Sequence, residues 1–326
     1  MTADYLSYVN VTDIIGIRTN ISGFRWAFGK CDNPVPDELF EQCKIKVFLK
    51  ETGDKHVFDD LDMNLYKYSF RDFKLHPLSK SLIYEKNIKR VVKLRFAISI
   101  QGDCVHVTVG KSYMKYIKIK LMYIHSISYI LFDVVSMMLL NQNMTTLYCS
   151  ACHLNNGNTV VCIAPPNTGK SLTALKLQNE FGSEIIAEDM AVTDGERIWG
   201  ANNTKLYRNY HDDHLKQTKT MIPISVPQEI HSLFLLQKGA SDFETTEGDM
   251  LAKIVLINRY SLGYYYSPRV RALDYYHEDF SIATAMEMEE KILSRFVNKS
   301  KICVVQRRNS MDFAEYIYKF SEKGIK

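Results

Sequence analysis

The chain has 326 residues, 46% hydrophobic and 24% charged, with a formal net charge of +4. These proportions describe an ordinary folded protein of two domains, or of one large domain with an appendage. With no block of five or more basic residues and no low-complexity segment, they argue against nucleic acid as the primary partner.

Seven cysteines without a disulfide-scaffold spacing, and a start, Met1-Thr2-Ala3-Asp4-Tyr5, lacking a basic stretch before an apolar core, suggest a reducing cytoplasm. Residues 1–110 read as an N-terminal α/β domain. Lys44-Ile45-Lys46-Val47 alternates like a half-buried strand, extended by Phe48-Leu49. Lys86 to Lys93 interleaves basic and apolar residues, as an exposed face does. Arg95–Ile100 and Cys104–Val109 flank Gln101-Gly102-Asp103 and read as a hairpin. No chemical motif appears here; acceptor recognition or a dimer contact is the role assigned to this domain.

Residues 111–326 read as the second domain. From Leu121 to Leu140, twenty residues run without Lys or Arg, long enough to span a bilayer. Asp133 near the middle is costly in lipid. His125, Tyr129, Asp133 and Ser136 share one helical face, and Ile124, Ile127, Leu131, Val134 and Met138 fill the other. The expectation is a core helix packed on the sheet of the second domain, with no membrane partner. Cys149-Ser150-Ala151-Cys152-His153 matches the haem-attachment pattern, but that chemistry normally needs export, and no second ligand pair has zinc spacing.

Thr159-Val160-Val161-Cys162-Ile163 is a β-branched strand. It leads into Ala164-Pro165-Pro166-Asn167-Thr168-Gly169-Lys170-Ser171, the phosphate-loop pattern with Ala in place of the first Gly. Leu172 to Phe181 continues with helical spacing, and Gly182 stops it. Strand, loop and helix in this order direct backbone N–H groups of Thr168 to Leu172 at phosphate oxygens. Lys170 supplies a charge to the outer phosphates and Ser171 a ligand for Mg2+. Ala164 and Asn167 complete the expected nucleotide-binding loop. The alternative is a tight turn bearing a surface lysine. Glu184-Ile185-Ile186-Ala187-Glu188-Asp189 is a short strand ending in two carboxylates. A helix of about 12 residues climbs roughly 18 Å, and a strand of about five returns roughly 16 Å. The acids therefore belong at the sheet edge that carries the loop, where open α/β sheets bind ligands. The alternative is a pair of solvated charges before Thr193-Asp194-Gly195.

Gly169-Lys170-Ser171 followed by a strand ending in an acidic pair resembles the catalytic domain of the HPr kinase/phosphorylase family, in particular its relatives in biosynthetic gene clusters. The resemblance covers about residues 145–320 and is specific at the loop and the acids. Leu147-Tyr148-Cys149-Ser150-Ala151 stands where many of these relatives have Leu-His-Ala-Ser, and Glu188 stands where the family usually has Asp. The resemblance implies a P-loop kinase domain of the HPr-kinase/PEP-carboxykinase-like type, behind an N-terminal α/β domain. It implies Glu188 as the base on an acceptor hydroxyl and Asp189 as the carboxylate on the metal side, with the roles open to exchange. It also implies ATP and Mg2+ as cofactors and hints at a homo-oligomer.

Further along, Lys205-Leu206-Tyr207 precedes Arg208, a candidate phosphate ligand. His211 and His214 flank Asp212 and Asp213. His231 to Gln237 reads as a strand. Tyr264-Tyr265-Tyr266-Ser267-Pro268-Arg269 reads as an acceptor wall or as packing. Ile282–Val297 reads as an amphipathic helix, Ile302–Val305 as a strand, and Met311–Phe320 as a closing helix. The expected function is ATP-dependent transfer to a hydroxyl on a peptide, protein or small metabolite, with Lys170, Glu188 and Asp189 catalytic. A nucleotide-binding regulatory module and a phosphorolytic enzyme are the alternatives.

Overall fold

A computed structural model describes residues 5–59, 68–70, 73–76, 81–88, 91–119, 126–201, 226–246, 248–276, 280–309 and 312–323. In chain order its elements begin with β1 Leu6–Val11, β2 Ile15–Thr19, β3 Arg25–Trp26, β4 Gly29–Lys30, α1 Asp37–Glu41, β5 Ile45–Thr52, β6 Tyr68–Phe70, β7 Phe73–His76, β8 Ser81–Ile88, β9 Val92–Gln101 and β10 Cys104–Gly110. They continue with α2 Lys111–Ile119, α3 Ile127–Asn141, β11 Thr145–Leu147, β12 Cys149–His153, β13 Thr159–Ile163, α4 Lys170–Phe181, β14 Glu184–Ala187, β15 Ala191–Thr193, β16 Arg197–Gly200 and β17 Gln228–Glu229. The remainder are β18 Ser232–Lys238, β19 Phe243–Thr245, α5 Met250–Leu262, α6 Pro268–Tyr276, α7 Ile282–Lys299, β20 Lys301–Arg307 and α8 Asp312–Lys323.

Two compact units divide the chain. The first comprises Met1–Trp26, Lys30–Met138 and Tyr265–Ala283; the second comprises Ala27–Gly29, Leu139–Tyr264 and Thr284–Lys326. The first unit therefore runs past residue 110 and takes back a later segment.

The first unit holds a mixed eight-stranded sheet in the order β1-β2-β5-β10-β9-β8-β7-β6. The hairpin expected on either side of Gly102 is β9 and β10, and Gly102 has φ 56. Alternation decides which face is buried. Ile17, Val47, Val105 and Ile100 form one continuous cross-strand row, and all are buried. In the next row Arg18, Phe48 and His106 are half-exposed, and the Phe48 and His106 rings stack at 4.9 Å. Tyr84 stacks on Phe96, and Tyr113 of α2 meets both rings edge-on.

The long apolar helix is α3, and residues 127–138 of it group with the first unit rather than with the sheet of the second. The residues of its expected polar face differ in exposure. Tyr129 is 71% exposed, but Asp133 and Ser136 are buried. Asp133 accepts hydrogen bonds from Nε and Nη2 of Arg269 at 3.0 and 2.6 Å. Burial pushes the Asp133 carboxyl above its ordinary value, opposed by Arg269. His125 and Ile124 lie outside the described residues. Among the described residues no helix is long and apolar enough to cross a membrane. In the tyrosine run Tyr264 and Tyr265 are buried and Tyr266 is exposed, and Arg269 is hydrogen-bonded to Asp133.

In the second unit a six-stranded sheet runs β14-β12-β13-β18-β20-β19, and a four-stranded sheet runs β11-β15-β16-β17. β13, β18 and β20 are parallel; β12 runs against β13, and β14 against β12. The strands are apolar on both sides because both faces of the larger sheet are covered. On one face Val161, Ile163, Leu233 and Leu235 pack with Ile254 of α5 and with Leu293 and Phe296 of α7. On the other, Val160, Cys162, Phe234 and Val305 pack with Leu175 of α4 and Phe313 of α8. Cys149 and Cys152 of the haem-like pattern belong to opposite faces of this sheet. Their thiols are pushed up by burial. The pattern is thus the signature of a two-faced buried strand. The expected strands at 231–237 and 302–305 are β18 and β20, and the helix expected at 282–297 is α7. The closing helix is α8; Met311 lies outside the described residues.

Candidate functional site

β13 delivers the chain to the carboxyl edge of the sheet, and α4 carries it away over the face. Between them the loop is curled by two left-handed residues, Asn167 at φ 62 and Gly169 at φ 116. Asn tolerates that region, but at Gly169 a side chain is strongly disfavoured. Pro165, Pro166 and Asn167 are exposed, whereas Thr168 is buried and its Oγ1 donates to the Pro165 carbonyl at 2.9 Å. The prolines thus occupy the outer arc, and the donors expected from Thr168 to Leu172 come after them. Gly169 is the N-cap of α4 and offers no side chain to its first turn. The first-turn N–H groups have no intrahelical partner, and the helix dipole adds positive potential there. Ser171 and Leu172 lie half-buried in that turn. At the far end Gly182 takes φ 66 and closes the helix by donating to Gln178 O at 3.0 Å.

Lys170 is not a surface lysine. It is 4% exposed, and its Nζ donates to the Ala164 carbonyl at 3.0 Å and the Pro165 carbonyl at 3.4 Å. The same ammonium lies 3.9 Å from the centre of the Tyr148 ring. Ser150 Oγ donates to the Lys170 carbonyl at 3.1 Å, tying α4 to β12.

Strand register places the acids. Ala151 of β12 pairs with Val161 of β13 on one side and with Ala187 of β14 on the other, both antiparallel. β13 and β14 therefore run the same way and end at the same edge. Two strand spacings, roughly 10 Å, separate them. Glu188 follows immediately and is 6% exposed, with Oε2 finding no hydrogen-bond partner among the described residues. Asp189 is half-buried and left-handed at φ 63. The alternation expected for the pair does not govern Asp189, because the chain has left the strand and turned. Arg208, Lys205, Leu206, Tyr207, His211 and His214 lie outside the described residues.

A polar cluster beneath the site was not expected. Asn258 of α5 accepts the Tyr148 N–H at 2.8 Å and donates Nδ2 to Thr146 O at 3.1 Å and to Glu289 Oε1 at 2.8 Å. Glu289 of α7 is fully buried and receives Arg259 Nε on its other oxygen at 2.7 Å. Arg259 Nη2 also reaches Met286 O and Glu290. The signal was present: Glu289 falls between Ala285 and Leu293 at i, i+4 spacing, on the buried stripe of α7. An acid on such a stripe demands a buried partner.

Among the described residues no three His, Cys, Asp or Glu side chains gather to hold a metal ion. No protein-family model matches the chain, and no curated protein matches it.

Proposed function

We propose that the chain is an ATP-dependent kinase with a P-loop domain of the HPr-kinase-like type, passing the γ-phosphoryl group to a hydroxyl of a peptide, protein or small metabolite. One observation carries this reading: a Gly-Lys-Ser loop and a buried carboxylate, with one oxygen unpartnered among the described residues, occupy the same edge of one sheet. The residues fit the cofactors. A Mg2+ ion takes one or two protein oxygens and completes its shell from phosphates and water, so Ser171 and Asp189 suffice on the protein side. Bound there by Ser171 and Asp189, Mg2+ would supply charge neutralisation to the phosphates.

The chain's own groups do the rest. Backbone N–H groups of Thr168 to Leu172 hold the phosphates, with Ala164 and Asn167 shaping the loop. Lys170 exchanges contacts to its own loop for the outer phosphate oxygens. Glu188 takes the proton of the acceptor hydroxyl as its oxygen bonds to the γ-phosphorus. The bond from that phosphorus to the bridging oxygen breaks, and ADP leaves. Such catalysis is positioning plus electrostatics. Arg208 remains a candidate phosphate ligand on sequence alone.

Incubation with γ-labelled ATP and candidate hydroxyl acceptors tests the reading. Lys170→Ala and Asp189→Ala should each lower transfer at least about 100-fold while far-UV circular dichroism stays unchanged. Intact ATP binding with no transfer to any acceptor would exclude the kinase. The second reading, a nucleotide-binding regulatory module, draws on the ring of Tyr148 resting on Lys170. It predicts a nucleotide-dependent change in partner affinity that survives Glu188→Gln. A kinase loses transfer in that variant.

A further inference from the structure

Tyr148 departs from the His of the resembling family, and the structure gives it a definite place. Its ring faces the Lys170 ammonium at 3.9 Å, and Lys170 as a whole is only 4% exposed. A cation on an aromatic face is held more strongly as water is removed. The backbone of Tyr148 is fixed in turn. Asn258 grips the peptide at Thr146 and at Tyr148, and the buried Glu289 with Arg259 orients Asn258. The segment carrying the ring is thus tied to α5 and α7.

We infer that Tyr148 is a positioning residue that restrains Lys170 and sets the affinity of the loop for phosphate. The inference rests on the phosphate-loop reading above. A phosphate oxygen engaging Lys170 competes with the ring for the ammonium. The free protein is stabilised by the ring contact, and binding must give up part of it. Asn258 acts on the same contact at one remove, by fixing where the ring sits. A ring of similar size without the hydroxyl preserves the restraint, whereas an aliphatic side chain of similar bulk removes it.

Titration of the full chain with an ATP analogue that resists hydrolysis, in the presence of Mg2+, tests this. Tyr148→Leu should bind about 2- to 30-fold more tightly than the wild type, the range of an exposed to a desolvated cation–π contact. Tyr148→Phe should follow the wild type, because it keeps the ring face. Labelling of the Lys170 amine by acetic anhydride, read by mass spectrometry without nucleotide, should be faster in Tyr148→Leu and unchanged in Tyr148→Phe. Equal or weaker binding by Tyr148→Leu, with wild-type labelling, overturns the inference while leaving the loop reading intact. Failure of the wild type to bind any triphosphate overturns the loop reading instead, and the labelling experiment then still reports on the ring contact.

Discussion

Asp133 in the first unit and Glu188 in the second are buried to nearly the same degree, 5% and 6% exposed. Asp133 receives two hydrogen bonds from Arg269, while Glu188 leaves Oε2 without a partner among the described residues. Burying a carboxylate costs several kcal/mol unless charge and hydrogen bonds offset it. For Asp133, and for Glu289 with Arg259 and Asn258, the offset is visible in the fold. Glu188 leaves one oxygen without such an offset among the described residues, and the acid sits on the sheet edge that also carries the Gly-Lys-Ser loop. The contrast separates carboxylates whose partners lie within the fold from one with an unpartnered oxygen among the described residues, which is the acid proposed above as the base.

The largest expected effect tests the structural side. Asp133→Ala leaves the Arg269 charge without its partner and should cost about 3 kcal/mol or more in urea unfolding. Glu188→Gln should unfold at or above the wild-type midpoint. Equal losses in the two variants would break the comparison. Next in size is catalysis: Glu188→Gln should reduce phosphoryl transfer by about 100-fold or more, the contribution of a positioned general base. Gly169→Ala comes third, since φ 116 is strained for any side chain. It should lose about 1–3 kcal/mol, read as a lower Tm, together with weaker nucleotide binding.

The smallest effect is in pH. Burial raises the Asp133 carboxyl in the folded chain above its ordinary value. The folded state therefore holds that proton to higher pH than the unfolded state. The contribution of this group to stability is greatest in acid and declines as pH rises through the window just above the ordinary carboxylate value. Asp133→Asn should remove that decline from the stability–pH curve. A curve unchanged by the substitution would place the carboxyl in a wetter setting than its burial indicates.

Much of the second unit was legible because its signals are local. β13, α4 and β14 occupy the expected residues, since β-branched runs, helical spacing and a terminal glycine act within a few residues of one another. The same applies to the hairpin β9–β10. The errors arose where partners are distant in sequence. The helix α3 was expected on the sheet of the second domain, and the partner of its Asp133 went unread, because Arg269, 136 residues away, does not show in a helical pattern. For Tyr264 and Tyr265 the sequence left a wall and packing both open, because nothing nearby revealed their burial. Asn258 and Glu289 went unread for the same reason: their bonds to Thr146, to Tyr148 and to each other span 31 to 112 residues.

By itself, the sequence determined the Gly-Lys-Ser loop, the strand and helix on either side of it, and the presence of two acids at the end of the next strand. These follow from backbone sterics, capping and hydrophobic period, which operate over a single element. Tertiary structure alone decided that Lys170 is buried against Tyr148, that Asp133 is paired and that Glu188 keeps one oxygen unpartnered among the described residues. Those outcomes depend on desolvation and on partners brought together by strand register and helix packing, which no local pattern encodes.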